Sequence, residues 1–139
     1  MIVQVKLDPG SYLPTKAYDN DAGFDLKTPE AFTVPAGGSA TVDTGVHMRI
    51  HDGYCGLIVS KSGLNVKSNI TSTGLIDAGY TGSIVVKLYN NDTGRLKTFN
   101  TGDKISQIVI LPIPSVELEV VAELDDTERS DRGFGSSGK

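Results

Sequence analysis

One isolated carboxylate, Asp77, lies in the segment GLIDAGYTGS, which runs from Gly74 to Ser83. Two aliphatic residues precede it, and two glycines and a tyrosine follow it closely. This composition is typical of a tight connection between two strands. An ordinary turn would explain it, and so would a site that places one carboxylate rigidly against a ligand.

Four more polar stretches could also carry chemistry. Three interrupt apolar, strand-like sequence: DAGFDL from Asp21, VSKSGL from Val59 and GDKISQIVI from Gly102. The fourth is RSDRGFGSSG near the end of the chain. Taken singly, each is compatible with a turn or with a strand that carries one outward polar side chain.

Several familiar kinds of site are missing from the sequence. It has no G-x-x-x-x-G-K-[ST] loop and no G-x-G-x-x-G after a strand. His47 and His51 in VHMRIH fall on one face of a strand and could form a metal pair, but no third ligand of suitable spacing lies nearby. We therefore expect surface or half-buried strand histidines. No Cys-His or Ser-His-Asp arrangement supports nucleophilic catalysis.

Composition and charge narrow the classes of function. The 139 residues are 38% hydrophobic and 22% charged, which indicates one folded domain rather than a disordered chain. The net charge of −4 argues against nucleic-acid binding, although a local basic pocket could still take a small anion. The single cysteine, Cys55, excludes an internal disulfide and reads as a buried hydrophobe. Without a signal peptide or an apolar run of membrane-spanning length, we expect a soluble cytoplasmic protein that does not bind membranes.

Period-2 alternation dominates the elements that must position these stretches. IVQVKL at Ile2, IVVKLY at Ile84 and VELEV at Val116 each predict a strand, and glycine- and proline-rich turns separate such runs. No window supports a long amphipathic helix, and SKSGLNVKS is the best candidate for one short helix. The sequence therefore predicts an all-β sandwich or barrel.

The segment after Leu124, DDTERSDRGFGSSGK, is polar and rich in glycine and serine. Its composition is typical of a disordered tail. A phenylalanine between glycines, followed by two serines, is more than a linker needs. The segment could instead lie over a ligand, with Phe134 stacking on it.

The five stretches, taken in order from Ala22 to Gly138, resemble the five motifs of the trimeric dUTPases, and GLIDAGYTG is the most specific match. The resemblance implies a jelly-roll-like β-barrel over residues 1–126 and a flexible C-terminal arm over residues 127–139 that closes over the site. It further implies a homotrimer with active sites at subunit interfaces. The implied reaction is Mg²⁺-dependent hydrolysis of dUTP to dUMP and pyrophosphate.

The resemblance also implies roles for the GLIDAGYTG motif. Asp77 matches the aspartate that activates the attacking water, and Tyr80 matches the tyrosine that packs on the deoxyribose and excludes a 2′-hydroxyl. The backbone of this hairpin would pair with uracil. The residues of the segment that would contact the nucleotide are Thr71, Gly74, Ile76, Tyr80 and Gly82.

The other motifs would serve the phosphate chain and the base. Ser62 and Gly63 would face the phosphates, Gln107 would donate to them, and Asp25 would help to hold the water shell of Mg²⁺. In the arm, Arg129 would contact the γ-phosphate and Phe134 would cover the uracil. Gly135 and Ser136 would line the same closed arm.

Four positions depart from the family pattern. Lys61 stands where arginine is usual, Thr71 where asparagine is common, Thr81 where arginine or glutamine is common, and Arg132 where glycine is usual. Two other readings remain open: a dCTP deaminase on the same trimeric fold, and a nucleotide-switched binder of regulators.

Overall fold

A computed structural model describes residues 1–135, 137 and 138. The described chain is almost entirely β-structure with one short helix, so the predicted all-β class is confirmed. The elements are β1 (Gln4–Leu7), β2 (Gly23–Lys27), β3 (Phe32–Val34), β4 (Ser39–Arg49), β5 (Tyr54–Val59), α1 (Ser62–Ser68), β6 (Ile70–Ile76), β7 (Ser83–Asn90), β8 (Lys97–Phe99) and β9 (Lys104–Pro112).

Seven strands form one sheet in the order β1-β4-β7-β6-β5-β9-β2, and β3 and β8 form a separate pair. Every pairing is antiparallel. Strands far apart in sequence become neighbours, because β9 lies between β5 and β2. This order brings the DAGFDL, VSKSGL and GDKISQIVI stretches to one end of the sheet.

Alternating side chains build the core. Along β7, Ile84, Val86 and Leu88 are buried, while Val85, Lys87 and Tyr89 between them are exposed. This period-2 pattern is what a strand with one face on the core requires. The buried apolar side chains that form the interior cluster are Leu26, Val34, Val42, Val46, Met48, Ile50, Ile58, Ile70, Ile84, Val86, Leu88, Phe99, Ile105 and Ile108.

Most of the local predictions agree with the structure. IVQVKL contains β1, IVVKLY lies within β7, and the single helix α1 forms inside SKSGLNVKS. The helix ends at Ser68 and is followed by Asn69, whose φ of 55° is the left-handed conformation that commonly stops a helix. Cys55 is buried, as expected for a small hydrophobe.

The predicted strand at Val116–Val120 is wrong. Among the described residues the last strand ends at Pro112, and the segment that follows has neither helix nor strand. Leu118 and Val120 are 90% and 99% exposed. Alternating apolar and polar residues give a strand one apolar and one polar face. A strand also needs a neighbouring backbone for its hydrogen bonds, and no strand of the described chain pairs with this segment.

The only helix in the described part of the chain, α1, has seven residues. No helix there is long and apolar enough to cross a membrane.

Candidate active site

Asp25 is the centre of a charged cluster at one end of the sheet. Its side chain is 8% exposed and forms ion pairs with Lys61 and Lys104; the Lys104 Nζ lies 2.8 Å from Asp25 Oδ2. Asp25 lies on β2, Lys61 directly precedes α1, and Lys104 begins β9, so three separate elements meet there. Each carboxylate oxygen faces one ammonium group.

The charge state of Asp25 follows from these neighbours. Burial raises the pKa of its carboxyl group, but hydrogen bonds and the positive charges of Lys104 and Lys61 outweigh burial and lower the pKa below its ordinary value. Asp25 is therefore ionised at neutral pH. The two ammonium groups of Lys61 and Lys104 lie beside it, and each could contact an anionic ligand.

Gln107 faces Asp25 across the β2–β9 pair. Its amide nitrogen donates to the Ser60 carbonyl at 3.1 Å, which fixes the side chain beside Lys61. A Cβ on Gly23 would lie 2.5 Å from Gln107 Oε1, so the glycine of the AGFDL motif provides the space for this glutamine. The AGFDL and GDKISQIVI motifs are therefore packed against each other at this point.

These residues line one pocket of about 440 Å³. It contains two carboxylates, two lysines and one amide side chain: Asp21, Asp25, Lys61, Lys104 and Gln107. Ser62 and Gly63 follow Lys61 as the exposed first residues of α1, where no side chain caps the backbone N–H groups. The predicted phosphate-side residues Asp25, Lys61, Ser62, Gly63 and Gln107 therefore lie together.

Lys104 was missed from the sequence. The sequence predicts only Gln107 as the functional residue of the GDKISQIVI stretch. Its contact with Asp25 depends on the register of β9 against β2, where the pairing shifts between Leu26 and Lys27.

The predicted hairpin around Asp77 has an unusual shape. β6 and β7 pair only at the end far from the turn, from Ile70↔Asn90 to Ser72↔Leu88. Nearer the turn the strands diverge: residues 73–76 of β6 pair with β5, whereas Ser83, Val85 and Val86 of β7 pair with β4. The facing backbone edges of β6 and β7 beside the turn are therefore without strand partners among the described residues.

The turn itself, residues 77–82, is fixed by short contacts. The Tyr80 backbone N–H donates to the Asp77 carbonyl at 3.0 Å, and the Tyr80 hydroxyl donates to the Ser83 carbonyl at 2.8 Å. A Cβ on Gly82 would lie 2.5 Å from the Tyr80 hydroxyl oxygen, so glycine is needed for the ring to lie there. Asp77 is exposed beside this fixed ring.

Thr71 lies apart from that turn. It is half-buried in the paired part of β6, opposite Tyr89, and its hydroxyl oxygen lies 3.1 Å from the Asn91 side-chain nitrogen, which donates to it. Gly74 and Ile76 also lie on β6, and both are closer to Asp77 along the chain than Thr71 is.

In the described part of the C-terminal arm, residues 127–135, 137 and 138, the hydrogen bonds join residues of the arm to one another. Arg129 and Arg132 bond to each other's backbone: Arg129 Nε donates to the Arg132 carbonyl at 2.7 Å, and Arg132 Nε donates to the Arg129 carbonyl at 3.0 Å. Phe134 is fully exposed, and Gly135 adopts φ of 91° in a turn. Ser136 lies outside the described residues.

The predicted placement of both histidines on one strand is wrong: His47 lies on β4, whereas His51 lies beyond the end of β4 at Arg49. His47 contacts Asp8 and Thr81, whereas His51 contacts the Ile2 carbonyl. In the described part of the chain, no group of three His, Cys, Asp or Glu side chains could hold a metal ion.

Comparison with solved structures shows the class of this fold. The dUTPase of Staphylococcus bacteriophage 80alpha, in a form that carries dUpNHpp, is 29% identical, has a TM-score of 0.88, and the alignment covers 99% of each chain. A dUTPase mutant of S. aureus phage phi11, described with a structural Mg(II) ion, is 30% identical with a TM-score of 0.80, over 88% of this chain and 98% of that one. The curled sheet and its separated motifs thus define a dUTPase-type domain.

The sequence comparisons agree. The dUTPase family profile matches residues 11–138. The deoxyuridine 5′-triphosphate nucleotidohydrolase of Mycobacterium marinum is 42% identical over 96% of this chain and 92% of its own length, and that of Tropheryma whipplei is 39% identical over 100% and 97%. The chain belongs to the dUTPase family.

Proposed function

We propose that this protein hydrolyses dUTP to dUMP and pyrophosphate, with Asp77 as the general base for the attacking water. The observation that carries the proposal is the exposed Asp77 on a turn fixed by Tyr80 and Gly82, in a chain whose family and relatives are dUTP nucleotidohydrolases. A carboxylate fixed in this way can accept the proton of a water molecule aimed at the α-phosphorus, and orientation supplies much of the rate gain.

Uracil would bind where β6 and β7 diverge. The unpaired backbone edge from Gly74 to Ile76 offers N–H and C=O groups that can pair with O2, N3–H and O4 of the base, as strand edges pair. Cytosine presents the opposite donor and acceptor at two of these positions. The Tyr80 ring would pack on the deoxyribose and leave no room for a 2′-hydroxyl.

The triphosphate would bind at the charged cluster. Lys61 and Lys104 supply positive charge, Gln107 supplies a donor, and the first turn of α1 supplies the N–H groups of Ser62 and Gly63. Lysine at position 61 acts as a point charge, without the two-pronged geometry of arginine. The two lysines would therefore attract phosphate oxygens without fixing their orientation as an arginine would.

The donor set fits magnesium only together with the nucleotide. Both oxygens of Asp25 already face lysines, and Asp21 is the only other carboxylate that lines the pocket. Mg²⁺ keeps several waters and is commonly bound by one or two carboxylates plus substrate phosphates. When bound, it would neutralise charge on the leaving pyrophosphate. Asp25 would contact its water shell, while Lys61 and Lys104 turn towards the phosphates.

The site would be completed by other copies of the chain. Asp77 and Asp25 lie far apart in one subunit, so a homotrimer with sites at its interfaces would bring the hairpin of one copy to the charged cluster of another. Residues 127–139 would form a mobile arm on the 1–126 barrel, with Arg129, Phe134, Gly135 and Ser136 closing over bound nucleotide. Sedimentation of a fully active monomer would contradict this arrangement.

In the cell, this reaction would limit uracil incorporation into DNA and supply dUMP for thymidylate synthesis. Pyrophosphate release from dUTP, dTTP, dCTP and UTP, with and without Mg²⁺, tests the activity. We expect Mg²⁺-dependent release from dUTP and strong discrimination against the others. Equal rates on dUTP and dTTP would exclude the proposal, and ammonia release from dCTP would indicate a deaminase instead.

A further inference from the structure

His47 bridges three parts of the chain that are distant in sequence. It lies on β4, and its ring Nδ1 lies 2.9 Å from the Thr81 carbonyl oxygen, inside the turn that carries Asp77 and Tyr80. Its ring Nε2 lies 3.0 Å from Asp8 Oδ1, in the segment after β1. We call these contacts the histidine bridge. Asp8 is itself fixed, because its backbone N–H donates to the Gly45 carbonyl at 2.9 Å.

The partners of the two ring nitrogens determine the protonation state that fits. A backbone carbonyl and a carboxylate are both acceptors. A neutral imidazole has one N–H, so it can donate to only one of them and would point a lone pair at the other oxygen. The imidazolium has two N–H groups and satisfies both Thr81 and Asp8. The bridge is therefore complete only when His47 is protonated.

A second contact ties the same turn to β4. The Ser83 hydroxyl donates to Asp43 Oδ1, and the Gly45 N–H donates to the same oxygen at 2.9 Å. Ser83 also accepts the Tyr80 hydroxyl through its carbonyl. The register of β4 against β7 shifts between Asp43 and His47, which places both side chains against the start of β7. The turn that carries Asp77 is thus fixed to β4 on both sides of Gly82.

We propose that His47 is a positioning residue for the reaction, whose protonated ring fixes the turn of residues 77–82 and so places Asp77 and Tyr80 against the nucleotide. The inference rests on the proposed function, in which this turn carries the general base and the sugar contact. It predicts that kcat/KM on dUTP falls as His47 loses its proton. His47 itself would contact neither substrate nor the reacting water.

The charges around His47 set the pH range. Asp8 and Asp43 face it and favour the imidazolium, whereas Lys6, paired opposite it on β1, and Arg49, on the same strand, oppose it. The hydrogen bond to the Thr81 carbonyl and then the bond to Asp8 raise the pKa of His47 above its ordinary value of 6.5. The bridge is therefore complete below about pH 6.5 and is lost as pH rises through the raised pKa.

The ring state can be measured without substrate. The chain has two histidines, so the ¹⁵N spectrum of the whole protein contains two imidazole rings, and His51→Gln assigns them. We expect the His47 ring to keep its proton above its ordinary pKa of 6.5, with the Thr81 and Gly82 amide signals following its titration. The bridge would be overturned by a His47 ring that is neutral at about pH 6. It would also be overturned if the chemical shifts of the Thr81 and Gly82 amides did not change as the ring titrates.

Steady-state kinetics test the positioning role. His47→Gln keeps one amide donor and has no charge, and we expect kcat/KM on dUTP to fall about three- to tenfold at pH 6. The deficit should shrink towards pH 9, where the wild-type ring is also neutral. His51→Gln, whose Nε2 contacts only the Ile2 carbonyl at 2.6 Å among the described residues, is the matched control and should retain the wild-type profile.

Asp8→Asn gives a directional check, because it keeps an oxygen acceptor and removes the negative charge. The fall of kcat/KM with pH should move to lower pH in this variant. A purely structural histidine would change the melting temperature and leave the shape of the pH profile unchanged. If dUTP is hydrolysed but wild type and His47→Gln share one profile, the positioning role is wrong. If dUTP is not hydrolysed by any variant, the proposed function fails, and the NMR titration alone decides whether the bridge exists.

Discussion

Asp25 and Asp77 lie in different rows and at different places across the sheet. One row of paired residues crosses four neighbouring strands. It contains Thr73 on β6, Val59 on β5, Gln107 on β9 and Asp25 on β2. Asp77 follows the end of β6, four residues beyond Thr73. Strand geometry separates the two carboxylates by about 14 Å across the sheet and about 13 Å along it. This separation is the reason for proposing that the two carboxylates meet at a site shared between subunits.

Replacing Asp77 by Asn keeps the shape of the side chain and removes the base. Because the turn is fixed by backbone contacts and by Tyr80, nucleotide should still bind. Turnover on dUTP should fall by about 10²- to 10⁴-fold, since the loss lies in proton transfer. Single-turnover kinetics and dUTP binding by calorimetry separate these effects. Turnover within a few-fold of wild type would remove Asp77 as the base.

Tyr80→Ala should weaken selection against the ribose. The ring lies over Gly82 and is fixed by the hydroxyl contact with Ser83, so its removal opens space for a 2′-hydroxyl. The ratio of kcat/KM on UTP to that on dUTP should rise about tenfold or more. Tyr80→Phe is the matched control, because it keeps the ring and loses only the hydroxyl. If both variants keep the wild-type ratio, the ring does not select the sugar.

Asp25→Asn should destabilise the fold in a pH-dependent way. At neutral pH it leaves Lys61 and Lys104 facing each other without an anion, and we expect a loss of about 1–3 kcal/mol, moderated because both ammonium groups reach solvent. The pKa of Asp25 is lowered in the folded state, so its contribution is full above its ordinary pKa and disappears as pH falls through the lowered value.

Thermal unfolding of wild type and Asp25→Asn between pH 7 and pH 3 measures this effect. The difference in melting temperature should be largest near neutral pH and should narrow at the acid end. Asp21→Asn, in the same pocket but outside the lysine pair, is the control. A difference that stays constant to the lowest pH would show that the charge of Asp25 does not stabilise the fold.

Local sequence patterns predicted the strands and turns that depend on residues close together in the sequence. The alternation in IVVKLY identified β7, and the glycines and tyrosine of GLIDAGYTG identified the turn around Asp77. Features that depend on pairing between distant strands were not predicted. Val116–Val120 alternates as well as β7 does, yet no strand of the described chain lies beside it. The contacts of Lys104 with Asp25, and of His47 with Thr81 and Asp8, require a strand register that no local pattern encodes.

Removal of the arm tests whether residues 127–139 take part in the reaction or form only a disordered tail. Described residues from Ile113 onwards are exposed, so a chain that ends at Asp126 should keep nearly the wild-type melting temperature. Its kcat/KM on dUTP should fall at least about tenfold, because the arginine contact and the exclusion of water are lost together. Near-wild-type activity would mean that the arm is only a tail.

Phe134 provides a finer test of the same arm. Its ring is fully exposed in the free protein, so a stack on uracil would form only with nucleotide bound. Phe134→Ala should cost about 1–3 kcal/mol in nucleotide binding, the usual range for one base–aromatic stack. Phe134→Tyr keeps an aromatic face and should bind dUTP almost as the wild type does. Equal affinity in all three proteins would exclude the stack.

Mixed trimers test most directly that dUTP is hydrolysed at a site built from two copies of the chain. We expect Asp77→Asn to lose the base and Asp25→Asn to lose the carboxylate that would contact the water shell of Mg²⁺, so each should be nearly inactive alone. The two variants are unfolded and refolded together in equal amounts, and pyrophosphate release from dUTP is measured for the mixture and for each variant. If Asp77 comes from one subunit and Asp25 from another, random assembly restores about a quarter of the sites and of the wild-type rate. A mixture no more active than the mean of the two variants would contradict the shared site.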